Sequence, residues 1–190
     1  MWIVVGLGNP GRKYAATRHN AGFMFIRRLA GRWEVEVKKK KFSARVAEVH
    51  RDGERVVLAL PQTYMNESGL AVRELLAGFR AAPANAVVVY DDLDIPIGQI
   101  RVRSAGSPGT HKGLRSVTAE LGTDAFPRIR LGIGPLDERA DAVRFVLSPF
   151  SKDERAALEG ALAGAEEALG MILDGRIDQA MNAFNRKAMS

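Results

Sequence analysis

The sequence predicts an α/β fold: a single domain over residues 1–190, with a mixed, mostly parallel twisted sheet and helices on both faces. Three observations carry this. Short apolar, β-branched runs alternate with segments of helical period, the pattern of a sheet covered by helices. The chain has 190 residues, within the ~100–200 of one compact domain. Hydrophobic residues make up 46%, enough for one sizeable core.

The elements follow in order. Ile3 to Leu7 reads as a buried strand. Asn20 to Trp33 puts Phe23, Ile26, Leu29, Ala30 and Trp33 on one helical face. Phe42 to Val49 and Arg55 to Leu60 read as strands joined by a turn at Asp52-Gly53, because tight hairpins favour residues that tolerate positive φ. Leu70 to Phe79 reads as a helix begun near Asn66 or Ser68, and Ala86 to Tyr90 as a central strand. Gln99 to Arg103 alternates, as a strand with one wet face does. Leu114 to Leu121 is a helix and Arg128 to Ile133 a strand. Ser151 with Glu154 forms a capping box, followed by a stripe of Leu158, Leu162, Leu169 and Ile172. Gly175 breaks the pattern before a short helix closing near Lys187. The basic run Lys38 to Lys41 reads as a solvated loop or a strand edge.

Composition narrows the chemistry. Without cysteine there is no disulfide, thiolate zinc site or thiol nucleophile. Twenty-eight Lys and Arg against 22 Asp and Glu give a net charge of +6, which favours a polyanionic partner such as nucleic acid. The run Trp2 to Leu7 is too short for a signal sequence. No stretch reaches the ~20 apolar residues that span a bilayer. The expected protein is soluble and cytoplasmic, with no membrane partner.

Five segments carry candidate chemistry. Gly6-Leu7-Gly8-Asn9-Pro10-Gly11 matches a dinucleotide fingerprint, which would make the chain an oxidoreductase. That site needs a helix opening within the glycines; here Pro10 interrupts them and the helix starts only near Asn20. The glycines instead allow a sharp turn at a strand's carboxyl end. In Thr17-Arg18-His19-Asn20, His19 or Asn20 can cap the helix, or His19 can face one crevice with Asn9. Pro61 to Gly69 again joins a strand end to a helix start, with Asn66 as cap or site residue. Asp91, Asp92 and Asp94 follow an apolar strand; they fit magnesium less well than a carboxylate orienting an imidazole. From Arg101 to Lys112, two arginines share a strand face ahead of small residues that let backbone amides approach a phosphate. Arg128 and Arg130 extend this patch. No nucleophile elbow, zincin motif or P-loop occurs. A water-using His–Asp hydrolase remains.

These residues identify a resemblance. The motifs V-G-L-G-N-P-G, Y-A-A-T-R-H-N-A-G-F, P-Q-T-Y-M-N-E-S-G, D-D-L-D-I-P-I-G and R-L-G-I-G, with F-V-L-S-P-F, closely resemble bacterial peptidyl-tRNA hydrolases over almost the whole chain. The resemblance implies hydrolysis of the ester between a peptide and the tRNA 3′-ribose, by a monomer, with no metal or cofactor. It implies His19 as base, Asp91 as its orienting partner and Asn9 in the site. It places Asn66 on the peptide backbone, Tyr14 and Tyr64 along the channel, and Arg103 and Arg130 on a tRNA phosphate. One position departs: the family usually reads G-H-N-G before the Leu114 helix, where this chain has Thr110-His111-Lys112-Gly113. Lys112 therefore stands in a substrate- or water-contacting position. The alternative is a noncatalytic RNA-binding relative of the same fold; that alternative does not require Asn9, His19, Asn66 and Asp91, all of which this chain has.

Overall fold

The computed structural model describes residues 1–137 and 139–185. Among these residues seven strands form one sheet: β1 (Trp2–Gly6), β2 (Lys39–Lys41), β3 (Ala44–Arg51), β4 (Glu54–Pro61), β5 (Ala86–Pro96), β6 (Ile100–Arg103) and β7 (Arg128–Gly134). Their spatial order is β2-β3-β4-β1-β5-β7-β6. The contiguous strands β4, β1, β5 and β7 run parallel. β3 and β6 run against their neighbours. The helices are α1 (Ala21–Arg32), α2 (Ser68–Phe79), α3 (Lys112–Leu121), α4 (Ala142–Val146), α5 (Lys152–Leu173) and α6 (Ile177–Phe184).

Alternation along β1 and β5 splits the core in two. Val4, Val87 and Val89 face one layer with residues of α1 and α5, while Ile3, Val5, Val88 and Tyr90 face another with residues of α2 and α3. Both faces of the central strands are thus buried, which is why they read as continuous apolar runs. The alternating fold class read from the sequence is the one observed.

Most elements lie where the sequence puts them, with physical reasons for the differences. Asp52 and Gly53 both have positive φ (51° and 82°) and turn β3 into β4, as expected. A second tight turn, at Phe42 and Ser43, also has positive φ at both positions (52° and 54°). Neither residue type signals such a turn, so the expected start of β3 at Phe42 falls two residues early. The Phe42 ring packs edge-on against Phe79, 5.4 Å between centroids, and that contact offsets part of the backbone cost. The turn also makes the basic run a short edge strand, whose lysines protect an unpaired edge. β5 continues through the acids to Pro96. Asn66 and Ser68 make no side-chain cap to α2. The short helix α4, capped by Asp141, has no counterpart in the sequence reading. The capping box of Ser151 and Glu154 forms at the start of α5. The expected helix end near Lys187 lies outside the described residues.

One contact fixes the site's scaffold. α1 crosses β1 with Gly22 against Gly6. A Cβ on Gly6 would overlap the Gly22 carbonyl, and a Cβ on Gly22 would overlap the Val89 carbonyl and the Leu7 backbone. Backbone therefore meets backbone, and the start of α1 is pressed against the carboxyl ends of β1 and β5.

Gly22→Ala should cost at least about 3 kcal/mol, the upper end for overpacking, and lower Tm by roughly 6–12 °C for a domain of this size. Gly31, in the same helix, has nothing within 4 Å of an added Cβ. Gly31→Ala should be neutral or stabilising by up to about 1 kcal/mol through helix propensity. Thermal unfolding of both variants checks the contrast; equal effects would contradict the backbone contact.

Candidate active site

The site forms at the carboxyl ends of the parallel strands, the usual place in open α/β sheets. Past β1 the chain reaches Asn9, then returns through a single helical turn, Arg18–Asn20, into α1. Asn20 clamps the Asn9 backbone from both sides: its Oδ1 accepts the Asn9 N–H at 2.9 Å, and its Nδ2 donates to the Asn9 carbonyl at 2.9 Å. The Asn9 Oδ1 accepts the Met65 N–H at 2.8 Å. Asn9 therefore turns its Nδ2, a donor, toward the cleft.

His19 meets Asp91 at the end of this turn. Its Nδ1 lies 2.8 Å from Asp91 Oδ2 and 3.0 Å from Oδ1. A second histidine joins them: His111 Nε2 lies 2.9 Å from Asp91 Oδ1. His111 is also the N-cap of α3, its Nδ1 accepting the Leu114 N–H at 3.1 Å. That cap settles the tautomer, because a nitrogen that accepts a backbone N–H carries no proton of its own. In neutral His111 the proton sits on Nε2 and is donated to Asp91. Asp91 likewise holds the His19 proton on Nδ1, leaving the His19 Nε2 lone pair toward the cleft.

Asp91 is 1% exposed. Burial alone would raise its pKa, but the two histidines outweigh it and hold the carboxyl well below the usual carboxylate range. Burial of Tyr90, packed 4.8 Å from His111 between ring centres, pushes its phenol up to about 12, so it stays protonated.

His19, Asp91 and His111 are also residue types that hold zinc, and their donor atoms lie within 4.8 Å of one another. A metal on His111 Nε2 needs the lone pair there, which in the neutral ring would cost the α3 cap. Hydrogen bonding satisfies all three groups without that loss. Nor do the three acids converge on magnesium: Asp91 faces the histidines, Asp92 Oδ2 takes Arg130 Nε at 2.7 Å, and Asp92 Oδ1 accepts the Asp94 N–H at 2.9 Å.

The surrounding cleft has a volume of about 760 Å³. Of the residues expected from the sequence, Asn9, His19, Asp91, Asn66, Lys112, Arg103 and Arg130 line it. Tyr14 and Tyr64 are not among the lining residues; Tyr64 is 56% exposed on the surface. Arg128 is also among the lining residues, but its guanidinium is not an open part of the basic patch. It is 2% exposed and donates to the carbonyls of Gly106 (2.6 Å) and Asp124 (2.5 Å), pinning the loop that leads to His111. α4 and its end supply an apolar part of the lining, Ala142, Val143, Val146 and Leu147.

Sequence reasoning missed His111, Asn20 and the apolar wall. His111 stood directly before a helix with a helix-capping role available, the one local signal that marks it. Nothing in a linear reading pairs it with Asp91, twenty residues away.

Comparison with known proteins agrees with this geometry. A family model described as peptidyl-tRNA hydrolase matches residues 3–190. A peptidyl-tRNA hydrolase from Alkaliphilus metalliredigens is 46% identical over 97% of this chain and 100% of its own length. One from Chloroflexus aurantiacus is 47% identical over 97% and 99%. The crystal structure of peptidyl-tRNA hydrolase from Acinetobacter baumannii superposes with a TM-score of 0.91 at 36% identity, covering 97% of this chain and 94% of that one. With its fold, its His–Asp cleft and these relatives in agreement, the chain belongs to the peptidyl-tRNA hydrolase family.

Proposed function

We propose that this chain hydrolyses the ester joining a peptide, or an N-blocked aminoacyl group, to the 3′-ribose of tRNA, with water as nucleophile and His19 as general base. The observation that carries it is the Asp91 contact to His19 Nδ1, which leaves a basic Nε2 in a cleft with an amide donor from Asn9. Water attacks the ester carbonyl carbon while Nε2 takes its proton. Asp91 stabilises the imidazolium, and Asn9 Nδ2 donates to the developing oxyanion. The carbon–oxygen bond to ribose then breaks, and the proton held on Nε2 passes to the departing 3′-oxygen. The products are a free peptide carboxylate and tRNA, which recycles tRNA from prematurely released peptides.

The cleft's other residues suit that substrate. Arg103 and Arg130 are assigned to a tRNA phosphate, Asn66 to the peptide backbone, and Lys112 to a substrate oxygen, which a lysine can serve only as donor. Tyr14 and Tyr64 are assigned to the tRNA path outside the cleft. We further assign the whole chain to one catalytic domain, acting as a cytoplasmic monomer without cofactor or obligatory protein partner. Among the described residues no helix is long and apolar enough to cross a membrane.

His19→Ala should lower kcat by about 10²–10⁴, the usual worth of a general base, with tRNA affinity retained. Release of an N-acetylated amino acid from tRNA measures the first and inhibition by uncharged tRNA the second. A variant with parental kcat would end the mechanism.

Asp91 also makes a pH prediction. Its folded pKa is depressed, so below the unfolded value of about 3.9 the unfolded chain binds more protons than the native one. Its contribution to stability is complete above that value and is lost as pH falls through the folded one. Between about pH 4 and pH 2, Tm of the parent should fall more steeply than Tm of Asp91→Asn. Coincident slopes would mean that the histidines do not hold Asp91 ionised.

Arg103 is exposed and makes no ion pair among those of the described residues, so its charge is free for a phosphate. Arg103→Ala should raise KM and reduce the log–log salt slope of kcat/KM by about 0.7, the value for one fewer phosphate neutralised on a single strand. An unchanged slope would mean that Arg103 grips no phosphate.

A further inference from the structure

The turn that presents His19 is anchored from behind by Arg18. Arg18 is 7% exposed, and a charge buried to that degree persists only when paired. Its Nη1 donates to Ser148 Oγ at 2.6 Å and to the Pro149 carbonyl at 2.8 Å. Its Nη2 donates to both Glu154 oxygens, at 2.8 and 2.6 Å. The guanidinium carbon stands 4.3 Å from the centre of the Phe145 ring and 5.5 Å from that of Phe150.

The main chain adds to the joint. The Arg18 N–H donates to the Ser148 carbonyl at 3.0 Å, and Thr17 bridges to Pro149. Ser148 Oγ in turn donates to the Phe145 carbonyl at 2.6 Å. All these partners lie between 145 and 154, the stretch that carries the end of α4 into α5. The start of this stretch is the apolar wall of the cleft. Arg18 and His19 are consecutive residues of one helical turn, so the base and the wall share one anchor.

We infer that Arg18 is a positioning residue: it holds the α4 wall at a fixed distance from His19, keeping the base in register with the surface that seats the acyl group. The inference rests on the reaction proposed above. A planar fork with several fixed acceptors suits this task, since it sets direction as well as distance. The apolar character of Val143, Val146 and Leu147 suits the peptidyl portion of the substrate and not its phosphates.

The test compares Arg18→Gln and Glu154→Gln with the parent on N-acetyl-glycyl-tRNA and N-acetyl-phenylalanyl-tRNA. Glu154→Gln keeps a residue able to complete the capping box while removing the charge that Arg18 grips. Arg18→Gln should lose about 10–10²-fold in kcat/KM, the scale of a small misplacement of reacting groups, with the larger loss on the phenylalanyl substrate. Glu154→Gln should lose less, in the same direction. Hydrogen exchange at amides 142–148 should quicken in both variants without substrate, and inhibition by uncharged tRNA should stay parental.

A role confined to stapling α5 onto the fold predicts equal losses on both substrates, and that result would overturn the inference. So would parental exchange at 142–148. If Arg18→Gln does not fold, Glu154→Gln carries the same two criteria. If the parent releases neither acyl group, the proposed reaction fails instead, while the exchange comparison still decides whether Arg18 holds α4.

Discussion

Asp91 is almost wholly buried and accepts N–H groups from two imidazoles, and a carboxylate so placed is tolerable only because of them. The dependence runs both ways. The carboxylate fixes the tautomer of His19, and with it the location of the basic lone pair that faces the cleft. His111 cannot exchange roles with His19, because its other nitrogen is engaged by the backbone of α3. Two histidines on one acid thus have distinct jobs: one can accept a proton from the cleft, and the other is held as a donor. The helix start and the proton inventory of the site are parts of a single arrangement.

That arrangement needs α1 and the strand ends at close range. The contact between Gly6 and Gly22 supplies it, since any side chain at either position would push the helix off the sheet. Asn20 then ties the loop after β1 to the start of α1 through two hydrogen bonds to the Asn9 backbone. Asn9 in turn reaches the backbone of Met65. Asparagine side chains thus brace the β1–α1 connection on itself and join it to the β4–α2 connection, distant in sequence, since an amide serves as donor and acceptor at once. The loop carrying His111 is fixed differently, by the buried guanidinium of Arg128 on the Gly106 carbonyl.

Local rules made much of this legible. Asp52-Gly53 announced its hairpin, and Ser151 with Glu154 announced α5, because turns and caps depend on neighbouring residues. His19, Asp91 and Asn9 could be grouped because Asn9 and His19 lie in a strand-to-helix connection and Asp91 follows an apolar strand run, and in a parallel sheet the carboxyl ends of the strands share one edge. Other features depend on tertiary context. Phe42 and Ser43 adopt a turn that their residue types disfavour, because Phe42 packs on Phe79. The expected strand ends at Tyr90, yet β7 pairs with Asp91 and Asp92 and draws them into β5. Arg128 and Arg130 are two residues apart on one strand and looked equivalent. Nearby carbonyls bury the first, and the second keeps an Asp92 partner at the cleft.

The cleft is divided by chemistry, and the division explains why a single ester can be selected. Its lining combines the cations of Arg103, Lys112 and Arg130, the His–Asp pair with the asparagines, and the apolar residues of α4. A peptidyl ester of tRNA has the same three-part character: a polyanion, a polar scissile bond and a peptide whose side chains are often apolar. Each outer part contributes binding that does not change as the carbonyl becomes tetrahedral, so neither alone accelerates the reaction. Their use is orientation. A carbonyl held from both ends has little freedom to turn away from the base, and holding a reactant in this way removes an entropic part of the barrier. The orientation is only as good as the distance between the two outer parts and His19. The basic side is set by the sheet itself, since Arg103 and Arg130 sit on strands β6 and β7. The apolar side belongs to a five-residue helix outside the sheet, which has no such scaffold. A short helix in that position needs a fixed tie to the base, and the buried fork of Arg18 is where the fold supplies one.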